Sequence, residues 1–70
     1  MAIDPSKPFE LEYVVDPSGD RQRLDLYVKT MIPSMSRTRI QQRIGEDRVE
    51  VNGVPRPSNW RVLSGDAVLV

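Results

Sequence analysis

Hydrophobic and polar positions change period several times along the 70-residue chain. Phe9, Leu11, Tyr13 and Val15 alternate with Glu10, Glu12 and Val14, the period-two pattern of a half-buried strand whose odd-numbered positions turn inward. Residues 1–8, with Pro5 and Pro8 and no periodicity, read as a flexible lead-in. Asp16-Pro17-Ser18-Gly19 ends the strand as a turn, Pro17 presetting φ and Gly19 tolerating positive φ, and Asp20 is placed to cap the next element. Between Arg21 and Met31, residues Leu24, Tyr27, Val28 and Met31 recur at i, i+3, i+4 and i+7, which predicts an amphipathic helix limited by Pro33. Ser36 offers a hydroxyl cap to a second helix over Arg37–Gly45, with Ile40 and Ile44 as its inward stripe.

After Glu46 the period returns to two. Val49 and Val51 alternate with Arg48, Glu50 and Asn52, and Asn52-Gly53 is a strong signal for a tight hairpin turn. Pro55 and Pro57 restrict the returning strand to an edge or an irregular stretch. Trp60, Val62 and Ala67–Val70 supply further strand material around a Ser64-Gly65-Asp66 turn. The predicted fold is α+β: an N-terminal strand, two short packed helices like a helix-turn-helix, then a small mostly antiparallel sheet, all in one domain over residues 9–70. A chain this short buries only about 60% of its unfolded surface, and without cysteine it relies on one core, to which Leu24 and Trp60 are assigned.

The formal charge of zero hides an asymmetry. Residues 1–20 carry Lys7 against five carboxylates, whereas residues 21–70 carry nine Lys and Arg against five carboxylates. Eight of the ten cations are Arg, whose planar fork suits bidentate contact with phosphate and base edges. With no His, the commonest general base and nitrogen metal ligand is missing, and Ser36 has no partner that would make it a nucleophile. Its four glycines stand apart, so no glycine-rich phosphate loop exists. No catalysis, cofactor or metal is expected within these residues. The longest apolar run, Ala67–Val70, falls far short of the roughly 20 residues that span a bilayer, and the chain is expected to be soluble and cytoplasmic. There remains the second helix. Ser36, Arg37, Thr38, Arg39, Gln42 and Arg43 combine a helix N-terminus with several charge-assisted donors, an anion-binding surface for DNA or RNA. Helical spacing puts Arg39 and Arg43 on one flank of the Ile40–Ile44 stripe and Arg37 on the other.

Arg23-Leu24-Asp25, Ser36-Arg37 followed by Ile40 and Ile44, Val49-Glu50-Val51-Asn52-Gly53, and Gly65-Asp66-Ala67-Val68 together resemble the RNA-binding domain first recognised in ribosomal protein S-four, over residues 22–70. The strand over 9–15 followed by Gly19–Asp25 is similar to the version at the N-terminus of bacterial synthases that convert uridine to pseudouridine in large-subunit ribosomal RNA. The resemblance implies a module that binds structured ribosomal RNA and delivers a catalytic domain, which would follow in a longer parent chain and is absent from this one. It implies RNA-facing roles for Arg23, Ser36, Arg37, Arg39, Asn52 and Gly53, to which Arg43 is added from the charge pattern. Three positions depart from the family: Arg43 stands where a bulky apolar residue is common, Asp47 where Gly is usual, and Val54 in place of a cation after Asn-Gly. Two competing readings are a protein-interaction module using the hairpin edge and Trp60, and a small DNA-binding helix pair.

Overall fold

The computed structural model describes residues 11–70. Phe9 and Glu10 of the expected first strand, and the lead-in before them, lie outside that range. Among the described residues two α-helices and four strands form: β1 (Glu12–Val14), α1 (Leu24–Met31), α2 (Arg37–Gly45), β2 (Glu50–Val51), β3 (Val54–Pro55) and β4 (Ala67–Leu69). The four strands make one antiparallel sheet in the order β1-β4-β2-β3. This is the expected α+β arrangement, with β4 threaded between the first strand and the hairpin.

One apolar cluster joins helices and sheet. Leu24, Tyr27 and Val28 of α1, Ile40 and Ile44 of α2, and Val51 and Val68, which face each other across β2 and β4, are all buried in it. Val15, Val49, Val62 and Val70 complete it. The periodic positions read from the sequence therefore meet, with four exceptions, one of them Tyr13, which is half-buried and packs against the cluster. Leu11 is 44% exposed, because it precedes β1, an edge strand with β4 on one side only. Met31 is 39% exposed, as the last residue of α1, where the stripe runs past the core. Trp60 is half-buried and packs against the cluster from its margin.

The turns show how the connections are held. Asp16 accepts hydrogen bonds from the Ser18 and Gly19 amides and the Ser18 hydroxyl, shaping a short 3-10 turn over Pro17–Gly19. The Ser18 hydroxyl is the main cause that holds the Asp16 carboxyl below the usual carboxylate range. Gly19 serves close approach and not positive φ: a Cβ there would lie 3.1 Å from the Tyr27 ring and 3.3 Å from Val15, tight contacts that these neighbours would have to yield to. The left-handed residue is Arg21, at φ 66°. Burial raises the Tyr27 hydroxyl above its ordinary value.

Asp20 does not cap α1. Its carboxylate accepts from the Ser64 amide at 2.9 Å, and the helix N-cap position is Arg23, which makes no side-chain cap. Backbone carbonyls take that role: the Leu24 amide donates to Trp60 O at 2.7 Å and the Asp25 amide to Ser58 O at 3.2 Å. Ser36 does cap α2, accepting from the Arg39 amide at 3.2 Å.

The end of α2 is a Schellman motif, in which the Arg48 amide donates to Arg43 O at 2.9 Å and the Asp47 amide to Ile44 O at 3.1 Å. Its left-handed position is Asp47, at φ 58°, the place where glycine is usual. Asn52 and Gly53, at φ 53° and 81°, form the hairpin turn with both central residues left-handed, as the sequence predicts.

Two variants test these assignments. Leu24 is 0% exposed, so Leu24→Ala should cost about 2–5 kcal/mol in chemical denaturation; an unchanged midpoint would remove it from the core. Asp47→Gly should stabilise the chain by about 0.5–1 kcal/mol by relieving the left-handed backbone. A lowered thermal midpoint in that variant would show that the carboxylate outweighs the strain.

Candidate nucleic-acid interface

α2 presents its cations because its two isoleucines fix its rotation. With Ile40 and Ile44 buried, Arg37 and Arg39 are exposed and Arg43 is half-buried. Three ion pairs form among the described residues, Arg21–Asp20, Arg23–Asp25 and Arg48–Glu46, and none involves Arg37, Arg39 or Arg43. These three guanidiniums therefore keep their charge unneutralised by any described carboxylate. The Ser36 hydroxyl is engaged at the helix start as an acceptor.

The two flanks of α2 differ, as helical spacing predicts. Arg39 borders an open hollow with Ile32, Ser34, Met35 and Ser36 at the α1–α2 connection. Arg37 borders a small pocket of about 100 Å³ between the helices, with Asp25, Leu26, Lys29, Ile40 and Gln41. Lys29 holds the connection in place: its ammonium donates to Pro33 O and Met35 O, both at 2.8 Å.

Asp25 is the hub on this side. It accepts a bidentate pair from Arg23 (Nε to Oδ1 3.2 Å, Nη2 to Oδ2 3.1 Å), the Gln41 amide at 2.8 Å and the Leu26 backbone amide at 2.9 Å. With its side chain only 13% exposed, it is a structural carboxylate that links the start of α1 to the middle of α2. Arg23 is thereby oriented by a neighbour at i+2, while its own side chain stays 42% exposed.

Asn52 and Gly53 sit at the hairpin tip. The Asn52 side chain donates to Asp66 at 3.0 Å and accepts from the Ala67 amide at 2.9 Å, so its amide is committed to holding the tip against the start of β4. The structure thus gathers Ser36, Arg37, Arg39 and Arg43 on one helix, joins Arg23 to it through Asp25 and Gln41, and places Asn52-Gly53 on the sheet.

Sequence reasoning missed Gln41 and Arg56. Arg56 lies 4.1 Å over the Trp60 ring, and it lines a second groove of about 450 Å³ with Gln41, Ile44, Ser58 and others. No local signal marks this pair, because an i, i+4 spacing outside a helix predicts no contact. Its presence changes the competing protein-interaction reading: the Trp60 face carries a guanidinium, and the β3 edge is two residues long and contains Pro55. Among the described residues no helix is long and apolar enough to cross a membrane.

No protein-family model matches the chain. A stretch of 46 residues, 66% of the chain, is 44% identical to an uncharacterized RNA pseudouridine synthase of Chlorobaculum parvum. Any 46-residue stretch of a 70-residue chain includes residues 25–46, so all of α2 falls within the similarity. The matched stretch spans 14% of that protein's length.

Proposed function

We propose that this chain is an RNA-binding module of the kind first recognised in ribosomal protein S-four, and that it positions the catalytic domain of a pseudouridine synthase on structured ribosomal RNA. The observation that carries the reading is α2 itself: a helix with Arg37, Arg39 and Arg43 unpaired to any described carboxylate, inside a segment similar to an RNA pseudouridine synthase. Arg37 stands in the first turn of α2, where free amides and the positive end of the helix dipole already favour phosphate. Arg39 and Arg43 extend the positive field along the helix, and Arg23 joins it from α1. Ser36 and Gly53 expose polar groups at the helix start and hairpin tip that an RNA backbone can meet. Asn52 contributes by holding the tip's shape.

The module's part in the reaction is delivery. Isomerising uridine requires chemistry assembled in a separate domain, and binding here raises the local concentration of that domain at its target. Modest affinity suits such a role, since the module must release the RNA after each modification.

If about three to four cations meet phosphates, counterion release gives a log–log salt slope of roughly −2 to −4. Arg37→Ala and Arg39→Ala should each lower affinity for a structured ribosomal RNA stem-loop and reduce that slope by about one. RNA should bind more tightly than duplex DNA of equal length. Equal affinity for both, or binding indifferent to Arg37 and Arg39, would overturn the proposal.

A further inference from the structure

We infer that the Arg56–Trp60 stack is a second phosphate contact for the same RNA, at the far end of a path that begins at Arg37; the inference rests on the RNA-binding reading above. The pocket beside Arg37 and the groove beside Arg56 share one wall residue, Gln41. Their walls are also bonded together, because Gln41 donates to Asp25 and the Asp25 amide donates to Ser58 O. One flank of α2 therefore carries two adjoining depressions, one beside Arg37 and one beside Arg56, with Gln41 on the wall of both. Eight residues of helix separate Arg37 from Gly45, which is about 12 Å at 1.5 Å per residue. At the ~3.4 Å rise of a base-stacked strand, that length accommodates about three to four stacked nucleotides, and fewer of an extended strand.

Arg56 has the features of a prepared phosphate ligand. Stacking on the indole fixes the guanidinium plane, so less side-chain freedom is lost when a ligand binds. No described carboxylate forms an ion pair with it. Its Nε and the indole Nε1 are both buried with no hydrogen-bond partner among the described residues. Two unsatisfied donors on adjoining planes call for an acceptor, and a small slide of the guanidinium over the ring would turn its Nε–Nη edge toward two phosphate oxygens. The carboxylate on the groove wall, Asp47, stands at the helix exit and marks where the positive path ends. A groove open along the helix and about 450 Å³ in volume fits an extended polyanion better than a single small anion.

The test uses the 70-residue chain and an RNA stem-loop with a single-stranded flank, titrated at several salt concentrations. Trp60 is the sole tryptophan, so its emission reports on the stack directly. RNA should change that emission. Arg56→Ala should weaken binding about tenfold, the worth of one charge-assisted contact, and reduce the salt slope by about one. Arg56→Lys, which keeps the charge without the planar fork, should restore the slope but not the full affinity, and its thermal unfolding verifies the fold. If both Arg56 variants bind like the unaltered chain while Arg37→Ala weakens binding, the second contact is wrong and the RNA reading stands. If the unaltered chain shows no salt-dependent binding at all, the RNA reading fails and the second contact fails with it.

Discussion

The backbone pairing of residues 21–25 with residues 58–62 is the constraint on which the rest of the structure depends. Arg21 N donates to Val62 O at 2.6 Å, Val62 N to Gln22 O at 3.0 Å, Leu24 N to Trp60 O at 2.7 Å and Asp25 N to Ser58 O at 3.2 Å. The last two satisfy amides that open α1 and would otherwise be orphaned beside a buried Leu24. They also tie the helical half of the chain to the sheet. Strands of two or three residues contribute too little pairing to stand alone. The sheet persists because its valines complete a core that the helices begin, and the 21–25 pairing sets the distance at which they meet.

The same constraint shapes the charged surface. Drawing residues 58–62 onto the start of α1 brings Ser58 beside Asp25, and Asp25 then reaches Arg23 and Gln41. One carboxylate thus fixes the position of α1 relative to α2 without neutralising the cations at the α2 N-terminus. The remaining ion pairs join residues one or two apart and are largely exposed, where such pairs contribute little to stability. The basic face is therefore left free by the way the acidic residues are used. Asp20 holds the Ser64 amide, and Asp66 holds the Leu63 amide and Asn52. Asp16, Asp20, Asp25 and Asp66 each accept a backbone amide and so serve backbone geometry.

The features legible in the sequence are local. Leu24, Tyr27 and Val28, Ile40 and Ile44, the Ser36 cap and the Asn52-Gly53 turn each rest on neighbours within a few positions, so periodicity and turn chemistry place them. The hidden features depend on distant backbone. Asp20 has the sequence position of an α1 cap because nothing local shows that Trp60 and Ser58 carbonyls arrive there instead. Gly19 has the sequence setting of a positive-φ residue, whereas the Tyr27 ring decides its size. The α2 arginines of the candidate interface are readable from charge and helical phase, and Arg56 is not, because only the folded chain brings it to the flank of α2 that carries Arg37 and Gln41.

Trp60 joins stability and recognition in one residue. Its carbonyl caps α1, its ring packs against the core margin, and the outer face of that ring supports Arg56. Any change at Trp60 therefore disturbs the fold and the surface together, whereas Arg56 lies outside the core cluster. That arrangement explains how so small a domain extends a charged surface without adding core volume. The apolar body of the indole serves the fold, its face lends orientation to a cation, and its main chain holds the start of α1, the helix against which the arginine-bearing α2 packs.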